Sequence, residues 1–100
     1  RHGLAGFFPV ILTGEDIVKG KPDPFIYLEG ARRLGVEPGK CLVFEDICAG
    51  VMAGKSAGMR VCTVYDIYSE YELDEKRAIT DYYITSFMDL FENKVEVLNQ

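Results

Sequence analysis

Two short stretches hold residue types that could act on a phosphate. Leu42-Val43-Phe44-Glu45-Asp46 reads as an apolar strand ending abruptly in two adjacent carboxylates, and a helix-like stretch with glycines, Ala49 to Ala57, follows at once. Ligands of open α/β sheets bind beyond the carboxyl ends of the strands. Two acids at such a point, with nothing basic beside them in sequence, point to a hard cation such as Mg²⁺. The other stretch is Gly20-Lys21-Pro22-Asp23-Pro24. Pro22 keeps Lys21 extended, and the helix that opens at Pro24 offers an N-terminus attractive to phosphate. Acids that hold a metal and a lysine that faces the phosphoryl oxygens fit phosphoryl transfer. Each residue also has a blander role open to it: Glu45 or Asp46 as a cap of the following helix, Lys21 as a solvated loop lysine. Lys19 and Lys55 are expected in solvent. No convincing nucleophile is present. Asp16, Asp66 and Asp81 stand in polar loop contexts, and the single histidine, His2, lies too near the N-terminus for a Ser-His or Cys-His pair.

The elements that must position these residues follow from periodicity and punctuation. Phe7 to Leu12 is an apolar run, expected as a short buried strand. Asp23 suits an N-cap and Pro24 a first helical residue. The helix is therefore expected over Pro24 to Leu34, with Phe25, Leu28, Ala31 and Leu34 on one stripe, Arg32-Arg33 where cations suit the dipole, and Gly35 as the stop. Pro38-Gly39 turns the chain into the strand Cys41 to Glu45. In the helix Ala49 to Ala57, Gly50 and Gly54 each cost about 1 kcal/mol against alanine. Two of them four apart suggest a face pressed close to a sheet or a ligand. Arg60 to Tyr65 is a third strand, Tyr71 to Ala78 a short helix, Tyr82 to Ile84 a fourth strand, and Ser86 caps a last helix through Phe91. Glu92 to Gln100 is expected as a polar tail. Alternating strands and helices argue for an α/β fold with a parallel sheet covered on both faces.

Composition narrows the function class. One hundred residues suit one small domain, and a hydrophobic share of 48% with six Tyr and six Phe can build a core. A formal net charge of −5 argues against nucleic acid and anionic membranes as main partners. Phosphorylated substrates stay open, because a metal supplies local positive charge. Cys41, Cys48 and Cys62 are odd in number and form no CxxC pair, so buried reduced thiols of a cytoplasmic protein are expected and a zinc site is not. No apolar run is long enough for a signal peptide or a membrane span. The chain does not begin with Met and enters in what reads as the end of a helix, Arg1 to Leu4, so it is read as a fragment.

Gly20-Lys21-Pro22-Asp23-Pro24-Phe25-Ile26-Tyr27 resembles the third motif of the haloacid dehalogenase-like (HAD) hydrolases. Val43-Phe44-Glu45-Asp46-Ile47-Cys48-Ala49-Gly50, continuing to Ser56-Ala57-Gly58-Met59, resembles their fourth. The resemblance spans about Gly3 to Phe91 and is nearest to the β-phosphoglucomutase-like and phosphoglycolate phosphatase-like subgroup. It implies that Lys21 steadies the nucleophile and the phosphate, that Asp46 binds Mg²⁺ directly or through water, and that Glu45 is its acidic neighbour in the same metal site. Gly50 matches the glycine of the helix start. Ile47 stands where the family often has Ser or Thr, which removes one polar contact.

The family's first motif, a strand ending in Asp-x-Asp-Gly-Thr that carries the nucleophile, is absent from this chain, as are its second motif and its substrate-selecting cap. The expected fold is thus the C-terminal part of a Rossmann-like parallel sheet over residues 1–91, with 92–100 as the tail. The family's strand order, five-four-one-two-three, would leave strands one and two missing from the middle. Phe7–Leu12 and Cys41–Glu45 would then stand apart with unpaired facing edges, and the isolated chain would fold poorly without its missing N-terminal half. The expected function is that of a Mg²⁺-dependent phosphatase or phosphomutase acting on a small phosphorylated metabolite such as a sugar phosphate, through an aspartyl-phosphate, with this chain inactive alone. The alternative is a non-catalytic truncated module that only associates with a partner chain. A response-regulator receiver fits less well, since its acids would follow an N-terminal strand rather than an internal one.

Overall fold

Proline and glycine set several of the element boundaries. The computed structural model describes Phe8, residues 10–13 and residues 23–99. The strands are β1 (Val10–Thr13), β2 (Cys41–Glu45), β3 (Arg60–Val64), β4 (Tyr82–Ile84) and β5 (Glu96–Val97). The helices are α1 (Phe25–Leu34), α2 (Cys48–Ser56), α3 (Leu73–Ile79) and α4 (Met88–Phe91), with 3₁₀ turns at Pro38–Lys40 and Ile67–Glu72. Asp23 opens α1 by accepting the Phe25 N–H at 3.0 Å. Gly35 closes it at a left-handed φ of 68°, which lets the Val36 N–H reach back to the Ala31 carbonyl at 3.0 Å.

The sheet runs β1-β2-β3-β4-β5. The first three pairings are parallel and β4–β5 is antiparallel. The expected gap in the middle is corrected: β1 lies directly beside β2, Val10 opposite Cys41 through Thr13 opposite Phe44. The physical reason lies in β2. All five of its residues are buried, so its main-chain N–H and C=O groups need partners. β1 offers them, and its alternation continues the apolar surface, with Val10 and Leu12 packed against the first core. A second correction concerns 92–100. The stretch expected as a polar tail adds β5, which pairs Val97 with Tyr82 and Glu96 with Tyr83.

Alternation along the strands divides the interior in two. On one side Cys41, Val43 and Val61 meet Tyr27 and Ala31 of α1, Val51 and Ala53 of α2, and Met59. On the other, Leu42, Phe44, Cys62 and Ile84 meet Phe8, Leu90 of α4 and Val95. The Phe44 and Phe87 rings stack there in a tilted pair, with centroids 5.6 Å apart. The buried face of α1 is Tyr27 and Ala31, not the expected stripe: Phe25, Leu28 and Leu34 are exposed. Small residues explain the choice. A Cβ on Gly30 would lie 3.9 Å from Leu12, so the Gly30–Ala31 side lets α1 sit low on the sheet. Gly54 does the same for α2. A methyl there would come within 2.7 Å of Val61 Cγ2.

Asp81 ties the far strands to α2. It is 1% exposed, and one carboxylate oxygen accepts the Val61 N–H at 2.9 Å while Lys55 Nζ donates to both oxygens at 2.8 and 2.9 Å. Lys55, expected in solvent, is therefore half-buried in an ion pair, because the sheet brings Asp81 under the end of its helix. The three cysteines are free and buried, as expected, Cys41 and Cys62 on opposite faces of the sheet. Among the described residues, no helix is long and apolar enough to cross a membrane.

Candidate functional site

β2 ends beneath the turn that leads into α2, and its last residue and the next one have opposite fates. Glu45 belongs to the strand and is 5% exposed, whereas Asp46 follows the strand and is exposed. The Glu45 carboxylate receives the Tyr27 hydroxyl from α1. It also rests on the first turn of α2, where a Cβ on Gly50 would fall 2.1 Å from its carboxyl carbon. Burial pushes the Glu45 carboxyl above the ordinary Glu value; the Tyr27 bond opposes this, and the Asp46 charge adds to it. Tyr27 is driven well above its ordinary value, first by burial and then by the Glu45 bond. Glu45 is thus the polar pin joining α1, β2 and α2.

Asp46 is not the cap of α2. That N-terminus takes its carboxylate from another element: Glu72 Oε1 accepts the Cys48 N–H at 3.0 Å, a favourable place for negative charge. The Asp46 side chain is left at the carboxyl end of a central strand while its main chain is held from below. Lys76 Nζ donates to the Asp46 carbonyl at 2.7 Å and to Ser69 Oγ at 2.9 Å. Ser69 Oγ lies 2.9 Å from the same carbonyl and 2.9 Å from Asp66 Oδ2. Asp66 also accepts the Tyr68 N–H at 3.2 Å and so opens the 3₁₀ turn that carries Ser69. Lys76 is 1% exposed and Ser69 3%.

Tyr27, Ser69 and Lys76 carry no weight in the sequence reading, and Asp66 figures there only as a poor nucleophile. The signal for Lys76 was present but weak: it shares a helical stripe with Leu73 and Ile79, the latter packed against the first core. Asp66 and Ser69, three apart, form a capping pattern that could have marked the turn. Lys21 lies outside the described residues, so its placement relative to Asp46 is not part of this geometry.

The fit of a divalent cation rests on the donors present. Among the described residues, no group of three or more His, Cys, Asp or Glu is arranged to hold a metal ion. Asp46 offers one hard oxygen donor at the rim, and Mg²⁺ is commonly held by one or two carboxylates with water and substrate oxygens completing its shell. Asp46 fits that part. The Glu45 carboxylate is engaged with Tyr27.

A family model described as haloacid dehalogenase-like hydrolase matches residues 1–58. The chain is 42% identical over 90 residues to a bifunctional riboflavin kinase/FMN phosphatase of Arabidopsis thaliana, covering 90% of this chain and 23% of that protein. It is 46% identical over 66 residues to hexitol phosphatase A of Escherichia coli (strain K12), covering 64% of this chain and 31% of that protein. It therefore spans less than a third of the length of either relative. Among solved structures, a HAD hydrolase of family IA, variant 3, from Entamoeba histolytica HM-1:IMSS superposes with a TM-score of 0.59 at 31% identity, over 80% of this chain and 36% of that one. With a family model matching more than half of its length and a sheet that superposes on a solved member, the chain belongs to the haloacid dehalogenase-like hydrolases.

Proposed function

We propose that this chain forms part of a Mg²⁺-dependent phosphatase or phosphomutase site for a small phosphorylated metabolite, in which Asp46 holds the metal and Lys21 faces the phosphate. One observation carries the reading: Asp46 is exposed at the end of a buried strand and is relieved of capping by Glu72, while Lys76 and Ser69 fix its main chain. Bound Mg²⁺ would supply charge neutralisation at the phosphoryl oxygens. This chain's own residues fix the carboxylate that faces it and close the floor of the site with Glu45 and Tyr27. The aspartate nucleophile of the family lies outside this chain, so the chain alone is inactive and works with an N-terminal part that carries it. Phosphatase relatives support the reaction class, and the names of two of them, an FMN phosphatase and a hexitol phosphatase, span the range of phosphate esters in view. Three free thiols and a net charge of −5 support a cytoplasmic setting without nucleic acid or membrane partners.

The test is hydrolysis of p-nitrophenyl phosphate by the purified chain with Mg²⁺. No turnover is expected. Turnover that Asp46→Ala abolishes would place the nucleophile inside this chain and overturn that part of the proposal. The β1–β2 pairing favours a second reading, a non-catalytic module, since it leaves no open edge between those strands. That module would show no cation binding dependent on Asp46, whereas the leading reading requires it.

A further inference from the structure

We propose that Lys76, Ser69 and Asp66 act together as the positioning device of Asp46, a role that rests on reading Asp46 as the metal-holding acid. The chemistry of the donors orders the network. Ser69 has a single hydroxyl proton and two acceptors at equal distance, the Asp46 carbonyl and the Asp66 carboxylate, each 2.9 Å away. Lys76 already serves the carbonyl at 2.7 Å, so the serine proton belongs to the charged acceptor, where the bond is stronger. A relay results: the Lys76 ammonium donates to Ser69 Oγ, and Ser69 donates to Asp66. The ammonium and the carboxylate form an ion pair bridged by one hydroxyl. No direct ion pair of Lys76 occurs among the described residues. A buried ammonium is costly without compensation, and here its compensation passes through the residue that turns it toward Asp46. The carbonyl it grips belongs to the peptide leading into Ile47, the N–H of Cys48 is bonded to Glu72, and β2 with its ladder holds the chain that precedes Asp46. The main chain on both sides of the Asp46 side chain is therefore fixed, and the carboxylate can vary little beyond its own rotamers.

The test uses the full chain, 15N-labelled, as wild type and as Lys76→Met, Ser69→Ala and Asp46→Asn. Amide hydrogen exchange reads the clamp. In Lys76→Met, exchange at Ile47 and Cys48 should accelerate at least tenfold more than at Val43 and Val61, which report global opening. Ser69→Ala should give a smaller local acceleration, at least threefold, and carries the test if Lys76→Met does not fold. Equal acceleration at all four positions, or none at Ile47 and Cys48, overturns the proposal. Titration with MnCl₂, read as paramagnetic broadening of the amides of residues 46–48, separates position from charge. A lysine acting by charge alone repels the cation, so its removal would tighten Mn²⁺ binding. A positioning lysine gives the opposite, and at least threefold weaker binding is expected. Tightening overturns the proposal. Broadening should vanish in Asp46→Asn. If it persists there, or is absent from the wild type, the metal reading of Asp46 fails and the exchange data alone decide the clamp.

Discussion

Tyr27 and Glu45 meet where a helix, a strand and the next helix share one polar contact. With the hydroxyl removed, the buried carboxyl loses a donor and nothing solvates it in exchange. Tyr27→Phe is therefore expected to cost about 1–3 kcal/mol of stability, measured as a lower urea midpoint at constant slope. Gly50 is constrained by the same carboxyl. A methyl 2.1 Å from Glu45 Cδ has no room unless Glu45 leaves the Tyr27 bond. Gly50→Ala should cost about 1–3 kcal/mol by overpacking, although alanine is the better helix former. A urea midpoint unchanged or raised would refute the contact. At this scale the sequence displayed the two acids but not the division of labour between them. Strand alternation says only that neighbours point to opposite sides. Which one is buried was decided by Tyr27 waiting on α1, a partner 18 residues away.

α1 shows what a helical pattern can and cannot announce. Its start at Asp23-Pro24 and its end at Gly35 were legible, because capping chemistry is local. Its buried face was not, because Tyr27-Gly30-Ala31 competes with Phe25-Leu28-Leu34, and closeness to Leu12 favours the small residues. α2 was legible for the converse reason, since its two glycines can only mean close approach. The shortest helix, α4, depends on a side chain for its start. Asp89 Oδ2 accepts the Thr85 N–H at 2.8 Å and the Thr85 hydroxyl at 2.9 Å. The main-chain bond first, then the hydroxyl, holds the Asp89 carboxyl below its ordinary value. A lowered folded value means that the contribution is complete above the unfolded value of about 3.9 and is lost as pH falls through the folded one. Acidification below about pH 4 should therefore fray α4 ahead of the sheet. Faster exchange at Leu90 on acidification, after correction for the intrinsic rate, would register it. Asp89→Ala should remove that pH dependence.

The sheet keeps sequence order, with parallel pairing from β1 to β4, antiparallel pairing of β4 with β5, and β3 at its centre. The alternation of strands and helices made the α/β class legible. Neighbour relations were not, because they depend on which strands the chain can offer to an open edge, and β1 filled the place that family likeness reserved for another. Protection at Leu12 should accordingly approach that at Val43 in hydrogen exchange of the chain. Leu12 exchanging as fast as an unstructured amide would show that β1 does not pair. One feature of the interior also makes the molecule its own reporter. Cys41, Cys48 and Cys62 lie in one core, under the candidate site and in the other core, and burial raises all three thiols, Cys62 to about 12. Reactive thiolate is scarce until each pocket opens. Alkylation by iodoacetamide, resolved by mass spectrometry, therefore becomes a three-channel clock that times the breathing of each region separately, with no probe added to the native sequence.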